Sequence, residues 1–176
     1  MKDLFEKIVQ SIDNQARHLE HVEKEMRQLI AEYEELSAKK AELEKKLSEL
    51  EKQVLEVSRE LRDLEHEYNE LRHKLRKNKI ALQQADSPRE AERLMETRKK
   101  LLEKFREVSE KLQELRKKYD DLKAEEYMVS DELARVEKEL DKVRRKIEIH
   151  LREMKHYAQE VVRRIDQFAE KFHLRV

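Results

Sequence analysis

Apolar residues recur at alternating steps of three and four along almost the whole chain. One series, which we call position a, runs from Phe5 to Leu82, and a second, position d, runs from Ile8 to Asn78. This average spacing of 3.5 residues keeps one stripe of a helix facing a partner helix, as in a coiled coil. The pattern therefore predicts a first long helix over about 3–83.

The same pattern resumes after the only proline, but in a different phase. Its a positions run from Ala91 to Phe168, two residues out of step with the first series. Continuous coiled coils absorb insertions of three or four residues, not two. The segment Ser87-Pro88-Arg89-Glu90 has the residues of a helix start: Ser at N-cap, Pro at the first helical position and Glu at the third. We predict a loop at about 84–87 and a second helix over about 88–172.

Two long helices and one short loop predict an all-α fold, an antiparallel coiled-coil hairpin. The composition agrees, because glycine is absent, proline occurs once and 47% of the residues are charged. We expect residues 1–176 to form a single coiled-coil hairpin domain. The favoured register places Lys40 opposite Val129 and Glu126 opposite Leu43, and it pairs Lys39 with Glu132 across the flank.

Polar residues interrupt the seam at a few positions. A charged or polar seam residue lowers stability but specifies the register of the two helices. Lys40 and Glu126 fall in adjacent layers of the favoured register, where they can pair. For His150 a pH switch is the alternative to a register role. The predicted register-setting residues are Gln15, Lys40, Glu126 and His150.

The loop end of the hairpin is basic although the whole chain has a net charge of zero. Between Leu71 and Arg106 there are twelve Lys or Arg and five Asp or Glu residues, a local net charge of +7. Such a tip would attract nucleic-acid phosphates or an acidic protein surface; a solvated charged face is the alternative. No aromatic residues interleave with the exposed basic ones, so base stacking is not indicated. The basic tip comprises Arg72, Lys74, Arg76, Lys77, Lys79, Arg98, Lys99 and Lys100.

At the other end, near the two termini, the apolar stripe widens beyond a and d. An isolated two-helix coil would leave these extra side chains exposed. We expect a second hairpin to cover them, which would make a dimeric four-helix bundle near the termini, or another protein to do so. The alternative is that the tail Lys171–Val176 folds over the surface. The predicted association face comprises Leu4, Val9, Ile30, Leu151, Ala158, Val162, Ile165 and Phe172.

No catalytic or ligand-binding chemistry is indicated. The chain has no cysteine, no glycine-rich phosphate loop and no nucleophile motif. Glu70-x-x-His73 and Glu153-x-x-His156 match a metal-ligand spacing of helix bundles, but these residues lie mostly at outward positions, where solvated surface is the expectation. We therefore predict no enzyme activity, metal, cofactor or small-molecule ligand.

These observations favour a non-enzymatic structural or adaptor protein. It would be a rigid hairpin that self-associates through its terminal end, as a dimer or within a larger complex, and presents a basic tip to a protein partner. The alternative is a nucleic-acid-binding coiled-coil arm that contacts phosphates through the tip. No apolar run approaches a membrane span, so we expect no membrane partner and a cytoplasmic location.

Overall fold

The computed structural model describes residues 1–176 and contains two long α-helices and no strand. Helix α1 spans Lys2–Gln83 and helix α2 spans Pro88–Lys171. They pack against each other as an antiparallel hairpin, which confirms the predicted fold class. The chain divides into two compact units: Met1–Leu43 with Glu132–Val176, the terminal unit, and Glu44–Asp131, the corner unit. That residues 1–176 form a single domain stays a prediction.

The corner between the helices has the predicted chemistry. The backbone N–H of Gln84 still donates to Ile80 O at 3.2 Å, and the helical pattern of α1 then stops. Ser87 caps α2, because its Oγ accepts a hydrogen bond from the N–H of Glu90 at 3.2 Å. This bond satisfies one of the donors that a helix start leaves without an intrahelical partner. Pro88 follows at the position where a missing N–H costs nothing.

The corner unit buries a regular series of seam residues. Tyr68 of α1 stacks on Phe105 of α2, with ring centroids 4.8 Å apart. Burial of an aliphatic side chain in the seam stabilises the fold by about 1.5–3 kcal/mol relative to its exposure. The seam is therefore what holds the two helices together in this unit. Its buried aliphatic residues are Leu50, Val54, Val57, Leu71, Val108, Leu112 and Val129.

The terminal unit also buries residues of the seam. Val22, the most buried of them, is 2% exposed, and Met26, Val136 and Val143 are also buried. On the flank, Lys39 Nζ lies 3.5 Å from Glu132 Oε1, so the pair predicted by the favoured register is formed. Both side chains are about half exposed, so the ion pair contributes little energy.

Helix α2 ends in a Schellman motif without glycine. The N–H of Leu174 donates to Ala169 O at 2.7 Å, and the N–H of His173 donates to Glu170 O at 3.2 Å. His173 adopts a φ of 54°, the left-handed conformation that glycine usually supplies at this position. The turn brings Leu174 back toward Ala169, which is buried.

Candidate interaction surfaces

Most of the basic tip lies on the outside of the corner unit. Seven of its eight side chains are exposed, and none of the seven forms an ion pair with a carboxylate. Some cations elsewhere in the chain form ion pairs, for example Arg27 with Glu23 and Arg145 with Asp141, and others do not. The tip therefore has positive charge that the hairpin itself does not neutralise. The seven residues are Arg72, Lys74, Arg76, Lys77, Lys79, Lys99 and Lys100.

The eighth tip residue, Arg98, differs from the others. It occupies an a position, is half-buried, and its Nη1 donates to Asn78 Oδ1 at 3.5 Å. Asn78 is only 6% exposed, and its Nδ2 donates to the carbonyl of Leu94 at 3.0 Å. The Arg98 guanidinium is thus hydrogen-bonded to a seam residue and is only partly available to an outside partner. Asn78 was not among the predicted register-setting residues, although an asparagine at a d position was a sufficient signal.

The tip also exposes apolar side chains that the sequence reasoning did not include. Met95 is 56% exposed and Leu102 is 46% exposed. Both occupy position e of α2, the heptad position one residue after d and next to the seam. The heptad pattern contained this signal, because the e position is apolar at these two places and polar or charged in the next six heptads.

The predicted association face is largely exposed in the terminal unit. Leu151 is 50% and Val162 is 56% exposed, and Val9, Ile30 and Ala158 are exposed as well. The other three members of the face, Leu4, Ile165 and Phe172, are half-buried against the hairpin. Phe172 packs on Phe168, with ring centroids 4.8 Å apart, and Phe168 lies 6.3 Å from Phe5.

Even the seam is incompletely covered near the termini. None of the side chains at 1–21 or 144–168 is buried, and the a-position residues Phe5 and Ile12 are themselves exposed. The tail covers only the last turn of α2, where Leu174 returns to Ala169. Two helices alone therefore leave apolar surface in water at this end, including seam residues that the sequence reasoning expected to be covered.

One outward face of α2 in this unit combines apolar and charged side chains. Ala158 and Val162 lie there together with Lys155, Asp166 and Glu170. Apolar surface with a charged rim is the common anatomy of a protein–protein contact.

The predicted register-setting residues are placed at or near the seam. Lys40 Nζ lies 4.0 Å from Glu137 Oε1, and Glu126 Oε2 lies 3.7 Å from Lys123 Nζ. His150 lies between two carboxylates: Nε2 is 3.2 Å from Glu25 and Nδ1 is 3.6 Å from Glu153.

These residues are half-buried as whole side chains, but in three of them one polar atom is inaccessible and has no hydrogen-bond partner: Gln15 Oε1, Glu126 Oε2 and His150 Nδ1. Burial of such atoms costs stability, which is consistent with a specifying role. The register role of the four residues, and the direct pairing of Lys40 with Glu126, stay predictions.

Neither helix has a segment that is long and apolar enough to cross a bilayer. No three His, Cys, Asp or Glu side chains converge on a common metal-binding point. His66 and His21 instead contact single carboxylates one turn away on their own helix.

The fold and these surfaces define an antiparallel coiled-coil hairpin with one basic and one apolar surface. Among protein families, a family model described as ZapB related matches residues 12–74, which lie within α1 and make up less than half of the chain. No curated protein and no solved structure matches the chain.

Proposed function

We propose that this protein is a non-enzymatic structural or adaptor coiled coil that self-associates through its terminal unit and presents its basic tip to a protein partner. The observation that supports self-association most is the exposed apolar surface at residues 1–21 and 144–168, where no side chain is buried. Burial of this surface against more helices would remove it from water. The similarity of residues 12–74 to the ZapB-related family favours a small coiled-coil protein of the cell-division type.

The proposed occupant of the association face is a second copy of the chain. On the outer surface of α2, Lys155 lies seven residues before Val162 and Glu170 lies eight residues after it. If two copies of α2 pack antiparallel with their Val162 residues at the centre, each Lys155 lies against the Glu170 of the other copy. A surface that complements itself in this way suits a two-fold symmetric dimer.

Light scattering over a concentration series tests the dimer. The full chain is expected to approach twice its monomer mass, whereas Leu151→Glu combined with Val162→Glu is expected to remain monomeric. Both side chains are about half exposed, so the substitutions should spare the hairpin itself. Leu55→Glu is the matched control, because Leu55 is an equally exposed apolar residue of the corner unit.

The charge pattern gives a second test of the same interface. Lys155→Glu alone and Glu170→Lys alone should each weaken the dimer, because each places like charges opposite one another. The double swap should restore it. A wild-type chain that stays monomeric at all concentrations, or single reversals that leave the dimer unchanged, would contradict this arrangement.

The basic tip supports the second part of the proposal. Seven exposed cations without carboxylate partners provide an electrostatic site for an acidic surface. The alternative partner is nucleic acid, since phosphates would satisfy the same cations. Binding of a short DNA duplex that falls steeply with salt and is lost on Lys77→Glu with Lys79→Glu would favour this alternative.

A further inference from the structure

We infer that the basic tip binds an acidic amphipathic helix, which docks along the side of the corner unit as a third strand of the coiled coil. This inference rests on the proposed function, since it names the partner class of the same tip. It depends on Met95 and Leu102, exposed apolar residues that a purely electrostatic site would not need.

The heptad places these two residues in a row. Met95 and Leu102 are seven residues apart on α2, about 10.5 Å at 1.5 Å per residue. Lys99 lies between them on the outer side, four residues after Met95 and three before Leu102, so it neighbours both on the helix surface.

Two cations border the apolar row on its other side. Arg72 and Lys79 occupy position e of α1, also seven residues apart. In an antiparallel pair the e positions of both helices lie on the same side of the seam. The Tyr68–Phe105 stack and the Asn78 hydrogen bond to Leu94 hold the two helices in this alignment.

The resulting surface is an apolar stripe with Arg72 and Lys79 on one side and Lys99 on the other, where Glu92 also lies three residues before Met95. All three cations are exposed and form no ion pair with a carboxylate. A helix with an apolar residue once per heptad and Glu or Asp on both flanks matches the spacing and the charge of this surface. Nucleic acid would satisfy the charge but would leave the two apolar side chains without complementary contacts.

The probe is a synthetic helical peptide of four heptads with leucine once per heptad and glutamate on both flanks. Its binding to the full-length chain is measured by fluorescence anisotropy at low and moderate salt. A peptide of the same pattern with lysine flanks serves as the control, and a short DNA duplex is the third probe. We expect binding of the glutamate peptide and not of the lysine peptide.

Variants separate the apolar from the electrostatic contribution. Two double variants should each weaken binding of the glutamate peptide by at least about tenfold, which corresponds to about 1.4 kcal/mol. The first is Met95→Ser with Leu102→Ser, and the second is Arg72→Glu with Lys79→Glu. The second variant should also gain binding of the lysine peptide. Lys45→Glu with Lys52→Glu, exposed lysines of the same unit outside the tip, should change nothing.

The outcomes also distinguish this inference from the proposal on which it rests. The chain could bind the DNA duplex but not the glutamate peptide, and Met95→Ser with Leu102→Ser could leave duplex binding unchanged. This result would overturn the helix as partner but keep a functional tip. Absence of binding to every probe at low salt would overturn both the inference and the proposed role of the tip. Self-association through the terminal unit is measured independently.

Discussion

Replacement of Asn78 by leucine is expected to stabilise the hairpin, although it removes a specific hydrogen bond. Asn78 is 6% exposed at a d position, and its Nδ2 donates to Leu94 O at 3.0 Å. Burial of a leucine side chain there contributes about 1.5–3 kcal/mol, and the lost hydrogen bond removes about 0.5–1.5 kcal/mol. The net expectation is a stabilisation of about 1 kcal/mol.

The partners of Asn78 explain why little opposes the stabilisation expected for Asn78→Leu. Arg98 donates to Asn78 at 3.5 Å, at the outer limit of a hydrogen bond, and its half-buried side chain retains access to water. For Asn78→Ala we expect the opposite effect on stability. It loses the same hydrogen bond and leaves unfilled volume, and should destabilise by about 1–2 kcal/mol.

Urea unfolding followed by circular dichroism at one fixed protein concentration measures both variants. Asn69→Leu is the control, because Asn69 lies on the same helix but is exposed; it should change stability by less than about 0.5 kcal/mol. A leucine variant that is less stable than the natural chain would refute the reasoning. It would mean that the hydrogen-bond network of Asn78 outweighs apolar burial at the seam.

Three further predictions concern single contacts. Ser87→Ala should destabilise the hairpin by about 1 kcal/mol in thermal unfolding because the cap on Glu90 is lost, whereas Ser87→Asp should retain stability. His173→Gly should stabilise the end of α2 by about 0.5–1 kcal/mol, since glycine adopts the left-handed conformation without strain; faster amide exchange at Leu174 would contradict it. A double-mutant cycle with Tyr68→Ala and Phe105→Ala should give a coupling of about 0.5–1.5 kcal/mol, and a coupling near zero would show that the stack contributes only burial.

The fold could be predicted because the information for it is local and periodic. The heptads define the two helices, and the phase change with Ser87 and Pro88 defines the corner, so no distant part of the chain had to be known. The Lys39–Glu132 pair could also be predicted, but the contacts of Arg116 with Glu65 and of His150 with Glu25 could not, because the favoured register does not align them.

Two features of the surfaces required the structure. Arg98 has the same charge as its neighbours Lys99 and Lys100, but only the packing shows that it is half-buried and bonded to Asn78. Similarly, Phe5 and Ile12 fit the seam pattern as well as Val22 does, yet they are exposed and Val22 is not. A periodic pattern states which side of a helix faces its partner, not how completely the partner covers it.

The sequence by itself thus determined the two helices, their corner and the charge asymmetry, because period, capping and charge are properties of neighbouring residues. Only the tertiary structure decided the degree of coverage: a tight seam around Val54 and Val57, and an open one around Phe5 and Ile12. Coverage depends on the side chains of both helices at each layer and on how closely those helices approach. The exposed apolar surface that supports the proposed dimer is a consequence of that packing.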